Sequence, residues 1–114
     1  MDLAYQQNED RYRQLLSDLR QRLDRIHLGG GAAAQDKQRQ KNKLPARERI
    51  EYLIDPGSEF LEIGALAGYE MFAEHGGCPA GGTVGGIGII QGRTCIIVAN
   101  DATVKAGAWF PITG

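Results

Sequence analysis

The sequence predicts an α/β fold with an α-helical leader, and three observations carry that prediction. An amphipathic stripe opens the chain, a two-residue turn joins two apolar runs near its end, and the second of those runs, Cys95–Ala99, has no polar interruption. The stripe has the period of a helix. The turn, Gln91–Gly92 between Ile87–Ile90 and Cys95–Ala99, reads as a β-hairpin, because a residue followed by glycine tolerates the positive φ of such turns. A half-exposed strand alternates, so the uninterrupted run predicts a strand covered on both faces. That makes Cys95–Ala99 a central strand, with Ala99–Gly107 at the end where open α/β sheets place ligands.

Taken in order, Asn8–Leu28 places Tyr12, Leu15, Leu16, Leu19, Leu23 and Ile26 on one helical face, with charged residues over the rest. Asn8 is the predicted N-cap and Gly29–Gly31 the stop. The stripe is expected to dock either on its own domain or on a partner subunit. Ala32–Lys43 has few apolar residues beyond its alanines and puts Lys37, Arg39, Lys41 and Lys43 at alternate positions, which reads as a frayed, solvated helix. The division expected is a leader and basic connector over 1–43 and a second unit over 44–114.

Pro45 suits the first position of a second helix that carries Ile50, Leu53 and Ile54 on one face. Arg47 and Glu51 stand four apart there, and Asp55–Ser58 closes the helix with a turn. Phe60–Ile63 is a short strand. Gly64–Gly82 is a long loop, of a length more often functional or partner-facing than idle. Gly85, Gly86 and Gly88 lie inside the first hairpin strand and predict a bulge or a second backbone lying close by.

Composition narrows the partners. Sixteen glycines in 114 residues, about twice the usual share, predict many tight turns. A net charge of −1 gives no general attraction to nucleic acid or a membrane. Residues 29–54 are the cationic part, with six basic and three acidic side chains. Cys78 and Cys95 share no zinc-like spacing, and two thiols make a poor disulfide framework, which favours a reducing compartment. The cytoplasm is the expected location, or mitochondria if a transit peptide has been removed.

The residues offer no nucleophile paired with a base. Glu74, His75 and Cys78 lack a fourth ligand for zinc. GGIGII is no dinucleotide fingerprint, because its glycines lie within a strand rather than opening a helix. What remains is the exit loop, where backbone N–H groups over Thr103–Gly107 and the single cation Lys105 suit an anionic or carbonyl oxygen. The plainer reading is a turn at Asn100–Asp101 with Lys105 in solvent.

ANDATVKAGAWFPIT, PAGGTVGGIGIIQGR, FLEIGALAGYEMFAEHGG and ARERIEYLIDPGS, together roughly Leu44–Gly114, resemble the start of the carboxyltransferase (β) subunit of biotin-dependent acyl-CoA carboxylases, most of all the methylcrotonyl-CoA carboxylase type. The resemblance implies the N-terminal part of a crotonase-like (ClpP/crotonase) fold. It implies transfer of CO₂ from carboxybiotin, held by a biotin carrier, to an acyl-CoA, with biotin carboxylase and carrier components as partners and a homo-oligomeric subunit. Backbone N–H pairs in Gly-rich loops of such enzymes hold the enolate and the ureido oxygen. By analogy Ala99, Asn100, Lys105, Ala106 and Gly107 would flank coenzyme A, with Lys105 on a phosphate, and the basic connector would attract its phosphates. Subunits of that family are several times longer, so an N-terminal part with no carboxylase activity alone is expected, its oxyanion loops and biotin half lying beyond Gly114. The alternative is a small non-enzymatic α/β protein-interaction module.

Overall fold

The computed structural model describes residues 2–114. Three helices, α1 (Leu3–His27), α2 (Ala32–Gln40) and α3 (Ala46–Leu53), precede strands β1 (Leu61–Ile63), β2 (Thr83–Ile90) and β3 (Arg93–Asn100). The strands form one antiparallel sheet in the order β1-β2-β3. The Gln91–Gly92 hairpin turn stands as predicted, with both residues left-handed at φ 49° and 75°. Their N–H groups donate to the Asp55 carboxylate at 2.6 and 2.8 Å. Asp55 therefore does more than end α3: it pins the hairpin tip.

α3 lies across one sheet face and builds the core from Ala46, Ile50, Val84 and Ile97, with Ile54, Phe60, Ile90, Cys95 and Ala99 around them. The β2 glycines leave room for β1 at Gly86 and for the end of α3 at Gly88. A Cβ on Gly86 would strike the Leu61 carbonyl, and one on Gly88 would come within 2.9 Å of both Ile54 and Ile97. Of the two expectations for these glycines, a backbone lying close is observed at Gly86, while Gly88 faces side chains. The β2–β3 register runs without a bulge from Thr83↔Asn100 to Ile90↔Arg93.

β3 departs from expectation. It is an edge strand rather than a central one, and it alternates: Ile97 is 6% exposed but Ile96 is 84% and Val98 68%. α3 covers one face only, and nothing among the described residues covers the other, where Leu61, Ile87 and Ile96 form an apolar row across the three strands. An unbroken apolar run predicts cover on both faces, and among the described residues only the α3 face has it.

The leader also differs. α1 begins earlier than expected: Asp2, not Asn8, is its N-cap, and the Asp2 carboxylate accepts from the Ala4 N–H at 3.2 Å. Its stripe meets the body only in the last turns, where Ile26 is buried, while Tyr12, Leu15 and Leu19 are exposed. α2 is helical with no buried residue, as its polar composition predicts. Pro45 stands just before α3 as the N-cap rather than inside it. No helix of the described residues is long and apolar enough to cross a membrane.

Candidate functional site

The exit of β3 is organised by Asp101, the one buried charged residue among those described, 5% exposed. Its N–H donates to the Gly82 carbonyl at 2.9 Å. Its Oδ1 accepts the Thr103 N–H at 3.0 Å and the Thr103 hydroxyl at 2.5 Å, and its own carbonyl accepts the Val104 N–H at 3.1 Å. This is an Asx turn whose Oδ1 takes two donors, which is how a carboxylate tolerates burial. The Thr103 hydroxyl in turn accepts the Gly30 N–H at 2.9 Å. A Cβ on Gly30 would collide with the Thr103 carbonyl, so the glycine turn between α1 and α2 lies directly on the exit loop. The sequence shows those glycines as a helix stop and carries no sign of this second role.

Beyond Val104 the backbone is left-handed at three successive residues, Lys105 (φ 47°), Ala106 (φ 55°) and Gly107 (φ 83°). For Lys105 and Ala106 this conformation costs about 1–2 kcal/mol each, and strain of this kind gathers at binding loops. The expectation of free N–H groups over Thr103–Gly107 is corrected at Thr103, Val104 and Gly107. Thr103 and Val104 donate to Asp101, and Gly107 donates to the Val104 carbonyl at 3.0 Å. The buried Asp101 closes the loop on itself.

Lys105 projects toward the Gly76–Gly77 turn, where a Cβ on Gly76 would stand 3.0 Å from Nζ. A cavity of about 300 Å³ opens here, walled by Gly30, Gly76, Gly77, Pro79 and Thr103–Lys105. Among the predicted residues Lys105 lines it. Ala99 instead packs on the core, Asn100 is exposed at the strand end opposite Thr83, and Ala106 and Gly107 are exposed outside the cavity wall. The long Gly64–Gly82 loop supplies the opposite wall through Gly76, Gly77 and Pro79, residues that the sequence marks only as turn-formers.

A second polar cluster fixes the leader to the body. The Glu62 carboxylate, on the α3-facing side of β1, receives Arg47 at 2.6 and 3.2 Å and lies 3.5 Å from His27 Nε2 at the end of α1. Arg47 also donates to the Ile26 carbonyl at 3.3 Å. The expected Arg47–Glu51 pairing is thus replaced. A partly buried bidentate partner outcompetes an exposed neighbour on the same helix. Nearby, Cys78 is buried at 1% exposure while Glu74 and His75 are exposed. Burial pushes the Cys78 thiol pKa up, with the Thr113 hydroxyl opposing.

Residues 37–114 match the carboxyl transferase domain family. Over 110 residues the chain is 46% identical to the mitochondrial methylcrotonoyl-CoA carboxylase beta chain of Arabidopsis thaliana, covering 96% of this chain and 18% of that one. It is 43% identical over 104 residues to the biotin-dependent 3-methylcrotonyl-coenzyme A carboxylase beta1 subunit of Mycobacterium tuberculosis, covering 91% and 19%. Among solved structures it is similar to the transcarboxylase 12S hexamer crystallised with hydrolysed methylmalonyl-coenzyme A. The TM-score is 0.72 at 35% identity, over 82% of this chain and 19% of that one. The chain spans 18% to 19% of the length of these relatives.

Proposed function

The chain belongs to the carboxyl transferase domain family, and from that premise we propose that it acts as the N-terminal part of the carboxyltransferase subunit of a biotin-dependent acyl-CoA carboxylase. The subunit moves CO₂ from carboxybiotin to an acyl-CoA such as 3-methylcrotonyl-CoA. Its partners are a biotin carboxylase and a biotin carrier component together with further copies of itself. The location is the cytoplasm, or the mitochondrial matrix in a eukaryote. The fold is the crotonase-like one, with residues 1–43 as leader and connector and 44–114 in the N-terminal domain. The exposed Tyr12, Leu15 and Leu19 favour a leader that packs on a partner subunit.

One observation carries the reading at the level of this chain. Lys105, on a strained left-handed turn at the exit of β3, stands at a glycine-walled cavity with no carboxylate paired to it among the described residues. An unpaired ammonium beside glycine turns is suited to an anionic oxygen of the coenzyme. The Asp101–Thr103–Gly30 bonds hold its backbone in place, so Asp101 and Thr103 are positioning residues. Biotin is a different matter. The exit-loop amides of Thr103, Val104 and Gly107 are already bonded within the loop, so these residues do not suit a ureido oxygen, and biotin falls to other parts of the subunit.

The test is coenzyme A binding by the full-length subunit and its Lys105→Ala and Lys105→Arg variants. Lys105→Ala should weaken binding about tenfold, the loss of one charge-assisted bond, with partial rescue by arginine. Unchanged affinity in Lys105→Ala would remove Lys105 from the site.

A further inference from the structure

A second cavity, of about 410 Å³, lies where the end of α2 meets α3, walled by Gln38, Asn42, Lys43, Leu44, Arg49 and Ala102. We propose that it is a phosphate subsite taking the phosphorylated nucleotide end of an acyl-CoA, a proposal that rests on the function read above.

The cations of residues 29–54 divide into committed and free. Arg39 is bound by Asp36 at 2.8 Å and by Glu48, and the Glu48 bond is the first reason its pKa is raised. Arg47 is bound by Glu62. Lys43 and Arg49 make no ion pair and no side-chain hydrogen bond among the described residues, and both line this cavity, which has no carboxylate in its wall. The alternation of basic residues along 37–43 does not produce one basic face: Lys37 and Arg39 lie in α2, where alternate positions are about 200° apart, while Lys41 and Lys43 lie beyond its end at Gln40. The structure selects Lys43 from that run and adds Arg49 from α3.

The remaining walls suit a nucleotide. Gln38 and Asn42 bring side-chain amides, which donate and accept, and Leu44 and Ala102 give apolar surface for a flat ring. Two of the carbonyls at the end of α2, which would repel an anion, are capped: Gln38 O accepts the Lys41 and Lys43 N–H groups at 3.0 and 2.9 Å, and Arg39 O accepts that of Asn42 at 2.9 Å. Ala102 lines this cavity and Thr103, its neighbour in the chain, lines the Lys105 cavity. The proposed ligand crosses the exit loop at that peptide and meets both.

The experiment titrates adenosine 3′,5′-bisphosphate and inorganic phosphate into the full-length protein and its Lys43→Ala, Arg49→Ala and doubly substituted variants. Lys37→Ala, on α2 but outside the cavity wall, is the control, and circular dichroism checks folding. Each single variant should weaken the bisphosphate about tenfold and the double about a hundredfold, with Lys37→Ala unchanged. A double variant that binds the bisphosphate like the parent overturns the subsite, as does equal affinity for inorganic phosphate, which marks an unspecific anion site. If the double variant is unaffected while Lys105→Ala still weakens coenzyme A, the subsite alone fails. If the parent protein binds neither coenzyme A nor the bisphosphate, the functional reading fails with it.

Discussion

The Gly30 N–H donates to the Thr103 hydroxyl at 2.9 Å across 73 residues of chain, and the same hydroxyl donates to buried Asp101. One threonine thereby joins the end of the leader to the exit loop of β3. Gly30→Ala should be destabilising through contact rather than through backbone preference, because its added methyl falls on the Thr103 carbonyl. The expected loss is about 2 kcal/mol, read as a lower urea midpoint. Thr103→Val should cost a similar amount by leaving the Asp101 carboxylate short of a donor, and Thr103→Ser should restore most of it. A Thr103→Val protein as stable as Thr103→Ser would remove the hydroxyl from this account.

Arg47 and Glu62 hold the other junction. Their side chains are 19% and 14% exposed, so the pair is largely dry and its two bonds are those of a planar fork on a carboxylate. Arg47→Ala should cost about 2 kcal/mol, chiefly from the stranded Glu62 carboxylate. Arg47→Lys should recover less than half, since an ammonium makes one of those bonds and cannot also reach the Ile26 carbonyl. Full recovery by lysine in a denaturant titration would show that charge alone matters here.

Gly86 and Gly88 test the sheet. The collision of a Gly86 methyl with the Leu61 carbonyl separates β1 from β2, so Gly86→Ala should cost about 2 kcal/mol or more and expose the β1 amides to hydrogen exchange. Gly88→Ala meets only side chains, Ile54 and Ile97, which are able to shift, and should cost about 1 kcal/mol. Equal effects on β1 exchange would contradict this division between backbone and side-chain contact.

The elements legible in the sequence were those with local causes. The hairpin turn follows from the positive φ that Gln91–Gly92 tolerates, and the close approach at Gly86 from the lack of a side chain inside a strand. What depends on remote partners was not legible. Whether Arg47 bonds Glu51 or Glu62, and whether Ile96 and Val98 are covered, is settled by residues whose spacing in sequence says nothing of their distance in space. The candidate site divides the same way. Lys105 stood out as a lone cation after an apolar run, but Gly30, Gly76 and Thr103 carry no chemical signal of their own and join the site through tertiary approach. The basic connector is legible as charge, yet only the end of α2 at Gln40 and the carboxylates paired with Arg39 separate Lys43 from Arg39.

Cys78 gives a pH dependence whose sign follows from its burial. At 1% exposure its thiolate is poorly solvated, so burial raises the pKa above the ordinary 9.0. The folded state then keeps the proton where the unfolded chain has lost it. Stability is unaffected below the unfolded value and falls as pH rises through the window above it. Cys78→Ala should lower stability at neutral pH by about 1 kcal/mol, from the small cavity left behind, and should flatten the alkaline decline relative to the parent. Urea midpoints of the two proteins between about pH 7 and about pH 10.5 isolate this group from the tyrosines and lysines that titrate in both. Curves that stay parallel across that range would mean the thiol ionises alike in both states. Alkylation gives a second reading of the same burial: iodoacetamide should label half-buried Cys95 well before Cys78 in the native protein, and unfolding should bring the two rates together.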